Sequence, residues 1–470
     1  MIPDRLLFLL ADDLPPAQLA RLFEKAGESL YLVGGSVRDA FLGRSLEDFD
    51  FTTGARPDRI AALLDGWADS VHGVGARFGT VAARRGPHRV EITTFRSEVY
   101  REDSRKPGVT FSDSLETDLS RRDFTVNAIA MSMPDLIAID PHDGLGDMAA
   151  GLLRTPLDPE VSFGDDPLRM LRLFRFQSQL GFRPAPDALA AVSRMASRLE
   201  IISAERIRDE LSRLLVTVAP SEALAAVVSS GLSAHFLPEL DRLAMEQDPH
   251  HRHKDVLAHT LAVVDKTGPD LVLRLAALLH DIGKPDTREF GPGGARFHHH
   301  EVVGARMARS RLRDLKYPNE VVDDVSRLVF LHLRPHTLKM GWSDSAVRRY
   351  VRDAGPLLDR LNELVRSDVT TANAKREKDI QEGIDELEAR IADLSAREEL
   401  ASLRAPIDGN DVMEYLEIGP GPMIGEVMSL LLEKRIEEGP YTRFAAYEMV
   451  RAWAAESGFP DPGDPPMEEE

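Results

Sequence analysis

Cysteine is absent from the 470 residues, which excludes disulfides and thiolate metal sites. No apolar run is long enough to span a bilayer. The opening Leu6-Leu7-Phe8-Leu9-Leu10 is too short for a secretory leader and lacks a basic flank and a cleavage site. These absences lead to the expectation of a cytoplasmic protein with no membrane partner. Positive charge is also scarce. Lys and Arg number 58 against 78 Asp and Glu, a formal charge of −20. A nucleic-acid partner would then require basic groups concentrated on one face. The excess acid is expected in the glutamate-rich C-terminal helices and in residues 467–470. Hydrophobic residues make up 43%, enough for sizeable cores, and the length predicts three or four domains.

The most informative stretch is Leu32-Val33-Gly34-Gly35-Ser36-Val37-Arg38-Asp39, followed by Asp48-Phe49-Asp50-Phe51. The first half reads as strand, glycine turn and helix start. Gly34 and Gly35 let the backbone turn and bring amide N–H groups, with that of Ser36, close to a ligand. Phosphate suits free N–H groups at such a turn, and Arg38 would add a charge-assisted contact. The second half alternates carboxylate and aromatic. In a strand this period places Asp48 and Asp50 on one face and the two phenylalanines on the other. Adjacent carboxylates repel unless a cation lies between them, and hard oxygen ligands suit Mg²⁺ shared with substrate phosphates. A phosphate cradle beside a Mg²⁺ site fits nucleotidyl transfer.

GGSVRDAFLGR followed by EDFDFTT resembles the polymerase-beta-type nucleotidyltransferases, in the branch holding the bacterial CCA-adding tRNA enzymes and poly(A) polymerases. The resemblance extends over nearly the whole chain. It implies an α+β fold: a small mixed-sheet head over 1–152, then mostly helical parts. These are a neck with a base-reading helix (153–235), an HD metal-dependent domain (236–372), a tRNA-contacting region (373–460) and a disordered acidic tail (461–470). It suggests Glu91, mid-strand in Val90-Glu91-Ile92, as a third catalytic carboxylate; a solvated sheet face is the other reading. Residues 98–118 read as a mobile loop, which in the family assists switching between nucleotides. Arg122 and Asp123, in Ser-Arg-Arg-Asp-Phe-Thr, match the motif that holds ribose and triphosphate.

Asp165-Asp166-Pro167-Leu168-Arg169-Met170-Leu171-Arg172 is the second centre. Pro167 suits a first helical turn. Asp166, Arg169 and Arg172 recur at three-residue spacing on one helix face, and Arg175 continues the stripe. A polar face with i,i+3 ion pairs would give the same pattern. The family motif is EDxxRxxR, with Asp165 here in place of Glu. Cytosine and adenine both show an amino donor beside a ring acceptor, so one carboxylate next to one guanidinium fits both. Uracil and guanine show the reverse. Asp166 and Arg169 are therefore expected to act as a protein template.

A third centre is rich in histidine: His259, His280-Asp281, His298-His299-His300 and Asp368. This order resembles the HD phosphohydrolases, which implies His259, His280, Asp281 and Asp368 as ligands. Imidazole with carboxylate suits a divalent transition metal better than Mg²⁺. His250, His251, His253 and His332 are expected to be surface or supporting residues. The resemblance implies addition of CCA to the tRNA 3′ end from CTP and ATP. The alternatives are a poly(A) polymerase, an enzyme adding only CC or only A, and an HD phosphohydrolase acting on RNA ends. Gly75-Ala76-Arg77-Phe78 looks like the CCA-adding type.

Overall fold

The computed structural model describes residues 4–46, 48–72, 79–99, 108–112, 114–245, 255–291, 294–335, 343–369, 374–398 and 403–466. The Gly75–Phe78 signature, His250, His251, His253 and residues 467–470 lie outside these. The chain divides into two compact units, Met1–Arg242 with Asp314–Tyr317, and Leu243–Arg313 with Pro318–Glu470.

The head of the first unit has nine strands among the described residues: β1 (Leu30–Val33), β2 (Asp48–Thr53), β3 (Ser70–His72), β4 (Thr80–Arg85), β5 (His88–Thr94), β6 (Arg96–Val99), β7 (Gly108–Phe111), β8 (Ala130–Met133) and β9 (Ala138–Ile139); a short parallel pair, Leu152–Leu153 with Arg183–Pro184, follows. Seven form one mixed sheet in the order β3-β4-β5-β2-β1-β8-β9, with only the β2–β5 pair parallel. The alternation in β2 sets its faces. Phe49 and Phe51 are buried in a core with Leu32, Ile60, Leu64, Val90 and Ile92, each contributing about 2 kcal/mol. A one-residue slip would turn the carboxylates inward, so register is tightly specified.

Residues 98–118 contain more order than a loop. β6 and β7 pair as an antiparallel ribbon, Arg96 opposite Phe111, and Leu115–Ser120 is a helix capped by Ser114; residues 100–107 are outside the described set. The neck is helical. Pro159–Asp165 breaks at Asp166, whose backbone is extended, and Leu168–Leu180 follows. Asp166 thus precedes the helix rather than lying on its face. Its Oδ1 accepts from the N–H of Leu168 at 3.2 Å, which satisfies a first-turn donor.

The second unit is almost wholly helical. In its Ala374–Glu398 helix, Ile384, Leu387 and Leu394 are buried, and the helix packs on Asp344–Ala354. Residues 461–466 are not the free tail expected from composition. Arg451 grips Asp461 through two nitrogens and reaches Asp464, and Trp453 stacks on Phe459.

Candidate active and metal centres

The chain leaves β1 at Gly34, with φ 67° and ψ −136°, a conformation open essentially to glycine. A Cβ at Gly34 would also lie 2.9 Å from Arg122 Nη1. Glycine is therefore required twice, by the backbone and by the arginine beside it. The Gly35–Phe41 helix starts here with no side-chain cap. Ser36 ties this turn to β2: its Oγ accepts from the Asp50 N–H at 3.0 Å and donates to the Asp48 carbonyl at 3.3 Å.

Register places Glu91 beside Asp50 and Arg89 beside Asp48. Arg89 pairs with Glu91 at 2.5 Å. Burial, with Glu91 and Asp48 adding to it against Arg122 and Arg89, pushes the Asp50 carboxyl up to about 6. Three clustered carboxylates thus carry more negative charge than their neighbours offset, and an oxygen-ligated divalent cation fits that donor set.

Arg122 is positioned by Asp118, a residue the sequence reading passed over. Asp118 is fully buried. It accepts from Arg121 at 2.7 Å and from Arg122 Nη2 at 3.2 Å. The available signal was its spacing, three and four residues before those arginines on one helical turn. Arg122 Nε is buried without a hydrogen-bond partner among the described residues, which leaves a donor for an anion beside Gly34.

Other sequence-selected residues are engaged elsewhere. Arg38 is buried, with Nε and Nη2 on Asp39 and Nη1 on Asn127 at 2.7 Å. These contacts tie Arg38 to the Gly35–Phe41 helix and to Asn127. Asp123 accepts from Arg172 Nη2 at 2.6 Å, from the Phe124 N–H and from Asn127. Burial opposes its charge, but Arg172 and Asn127 outweigh burial and hold the carboxyl far below the usual range. Glu210 bridges Arg172 at 3.1 Å and Arg175 at 2.5 Å. Arg175 lies over the Phe176 ring, 4.0 Å from its centre, and donates to Gln179. Arg175, on the stripe expected to bind nucleotide, is buried with its guanidinium on Glu210 and Gln179.

Asp166 and Arg169 lie on this neck. Asp166 Oδ2 accepts from Arg206 at 2.7 Å. Arg169 is buried, donating to Ser162 Oγ at 2.9 Å and to the Arg121 carbonyl. The Arg206 partner is half-exposed and therefore displaceable.

The second unit brings the histidines together. His259 Nε2 lies 2.9 Å from Asp368 Oδ1 and 3.4 Å from Asp281 Oδ2. His280 Nε2 lies 3.2 Å from Asp281, and His300 Nε2 3.4 Å from its other oxygen. His332, expected to be a surface or supporting residue, is buried beside them: its ring centre is 5.3 Å from those of His280 and His300. Two groups have ligand atoms all within 4.8 Å of one another: His259, His280 and Asp368, and Asp281, His300 and His332. His280, His300 and His332 each turn Nδ1 to the carbonyl three residues back, at 2.6–2.8 Å. This fixes the tautomer that presents Nε2 inward, as metal-binding histidines do. His332 Nε2 is buried with no hydrogen-bond partner among the described residues, and burial pushes its ring down to about 3. The cluster fits one or two divalent metals. Lys284 donates to Asp281 at 2.7 Å.

Three family descriptions match: Poly A polymerase head domain over 30–154, probable RNA and SrmB-binding site of polymerase A over 181–243, and HD domain over 252–393. The A-adding tRNA nucleotidyltransferase of Deinococcus radiodurans is 33% identical over 445 residues, covering 91% of this chain and 96% of that protein. The CCA-adding enzyme of Geobacillus thermodenitrificans is 36% identical over 320 residues, 67% of this chain and 70% of the relative. With the CCA-adding enzyme of Levilactobacillus brevis the match, at 44% identity, spans about half of the relative's length, 52%. The solved CCA-adding enzyme of Bacillus stearothermophilus in complex with CTP superposes with a TM-score of 0.67 at 26% identity, over 95% of this chain and all of that one. By these likenesses along nearly its full length, the chain belongs to the tRNA nucleotidyltransferase and poly(A) polymerase family, in the branch that carries an HD domain.

Proposed function

We propose that this protein adds C, C and A to the 3′ end of tRNA, taking CTP and ATP without a nucleic-acid template. The observation that carries this reading is the cluster of Asp48, Asp50 and Glu91 beside the Gly34–Arg122 cradle, on one sheet with the neck attached. Mg²⁺ bound by Asp48 and Asp50 would activate the primer 3′-hydroxyl and neutralise the leaving pyrophosphate. Gly34, Gly35 and Ser36 supply backbone N–H groups for the triphosphate, and Arg122 supplies the guanidinium. Asp123 and Arg172 hold the neck in register with that cradle.

Asp166 accepts from the amino group of C or A once it releases Arg206, and Arg169 donates to the ring nitrogen beside it once it releases Ser162. Uracil and guanine leave both groups unpaired, which discriminates strongly in a desolvated site. Asp166→Ala should therefore lower kcat/KM for CTP and ATP roughly ten- to a hundredfold, a charge-assisted bond of about 1.5–3 kcal/mol. UTP and GTP should barely change. The measurement is kcat/KM for all four nucleotides in wild type and Asp166→Ala. A uniform fall across the four would assign Asp166 to capping the helix and remove the protein-template mechanism.

The HD cluster supports a second reading for the other unit: a divalent transition metal held there assists hydrolysis of a phosphate ester. Water adds to phosphorus, the P–O bond to the leaving oxygen breaks, and that oxygen takes the proton.

A further inference from the structure

The two metal-facing residues Asp281 and His300 are joined by a two-stranded ribbon, Arg288–Gly291 paired with Gly294–Phe297. Its register puts Arg288 opposite Phe297 and Phe290 opposite Ala295. Arg288, Phe290, Ala295 and Phe297 therefore share one face, with Glu289 and Arg296 on the other. That face carries one cation, Arg288, between two rings, and a second cation, Lys284, lies at its inner end. Lys284, bonded to Asp281, lies 5.6 Å from the centre of the Phe297 ring. Phe297 is the strand partner of Arg288, and Arg288 lies 4.5 Å over the Phe290 ring. Phe290 is 70% exposed. Its ring is open to a stacking partner.

Resting on the hydrolytic reading of the HD cluster, we propose that this ribbon is its substrate-recognition element. The occupant is a single-stranded oligonucleotide whose terminal phosphate ester reaches the histidines. Two features select that occupant. The stripe runs without interruption from a metal-facing carboxylate to an exposed ring. Rings spaced by cations are also the arrangement that stacks bases and pairs with the phosphates between them. A small phosphate ester would need only the metal cluster and Lys284.

The test uses the full-length protein with Mn²⁺ or Ni²⁺. Two substrates are compared: a short oligoribonucleotide ending in a 2′,3′-cyclic phosphate, and bis-p-nitrophenyl phosphate. Phe290→Ala should lower the ratio of kcat/KM, oligonucleotide over small ester, about tenfold, and Phe290→Trp should restore it. A ratio that does not move overturns the proposal. A second readout does not depend on turnover. Binding of a tetranucleotide to metal-free Phe290→Trp should quench tryptophan emission beyond the wild-type change; no added quench overturns the stacking role. If wild type hydrolyses neither substrate, the hydrolytic reading fails, and the quench alone decides whether the ribbon binds single strands.

Discussion

Asp50→Asn is expected to cut incorporation of both CMP and AMP by about a thousandfold, a barrier increase of about 4 kcal/mol. The substitution keeps the volume and removes the charge that holds the cation. Asp50 loses no backbone tie, because Ser36 bonds its N–H and not its carboxylate. Folding should therefore survive, and tRNA binding should remain measurable by filter retention. Asp48→Asn should act in the same direction. Near-native incorporation by the double variant would show that these carboxylates do not hold the catalytic metal.

The second large effect is expected in the other unit. His280→Ala or Asp281→Ala should remove metal-stimulated phosphatase or cyclic phosphodiesterase activity and spare nucleotide addition. His280 is buried and turns its Nε2 to within 3.4 Å of both Asp281 and Asp368. Its loss takes one ligand and also loosens the carboxylates. Burial works against charge on its ring, yet those two carboxylates outweigh burial and push it up to about 10. Metal content by elemental analysis, beside the two activities, makes the outcome readable. Equal loss of nucleotide addition in a folded variant would contradict the assignment of the two chemistries to different residues.

The parts of these centres that could be read in advance were those encoded by local period or by a local turn. The alternation of β2 announced which side Asp48 and Asp50 face, because burial of Phe49 and Phe51 leaves no other register. Gly34 announced its turn because the backbone conformation there is closed to other residues. Where an arginine's partner comes from far along the chain, its role was illegible. Arg175 continues a helix stripe in the sequence, and its bond to Glu210, thirty-five positions later, could not be read from that stripe. Asp118 sat in a segment read as loop, so its support of Arg122 went unseen. His332 was set apart with His250, His251 and His253 for a related reason: a lone histidine carries no sign of partners distant in the chain. A signal was nevertheless present. His280 and His332 each follow directly on the apolar end of a helix, Leu271–Leu279 and Asn319–Leu331, and each bonds its own helix end through Nδ1. The same placement of two histidines was a reason to group them.

The central claim is that protein side chains alone direct three successive additions. It is tested by incubating the protein with Mg²⁺ and a tRNA cut after the base preceding CCA, with a second tRNA ending in CC, and sizing the products at one-nucleotide resolution. The expected result is two additions with CTP alone, three with CTP and ATP together, one A on the CC-ending tRNA, and none with UTP or GTP. Extension of only the CC-ending tRNA by a single A, the activity in the name of the Deinococcus relative, would contradict the claim, as would a long A tract on either substrate.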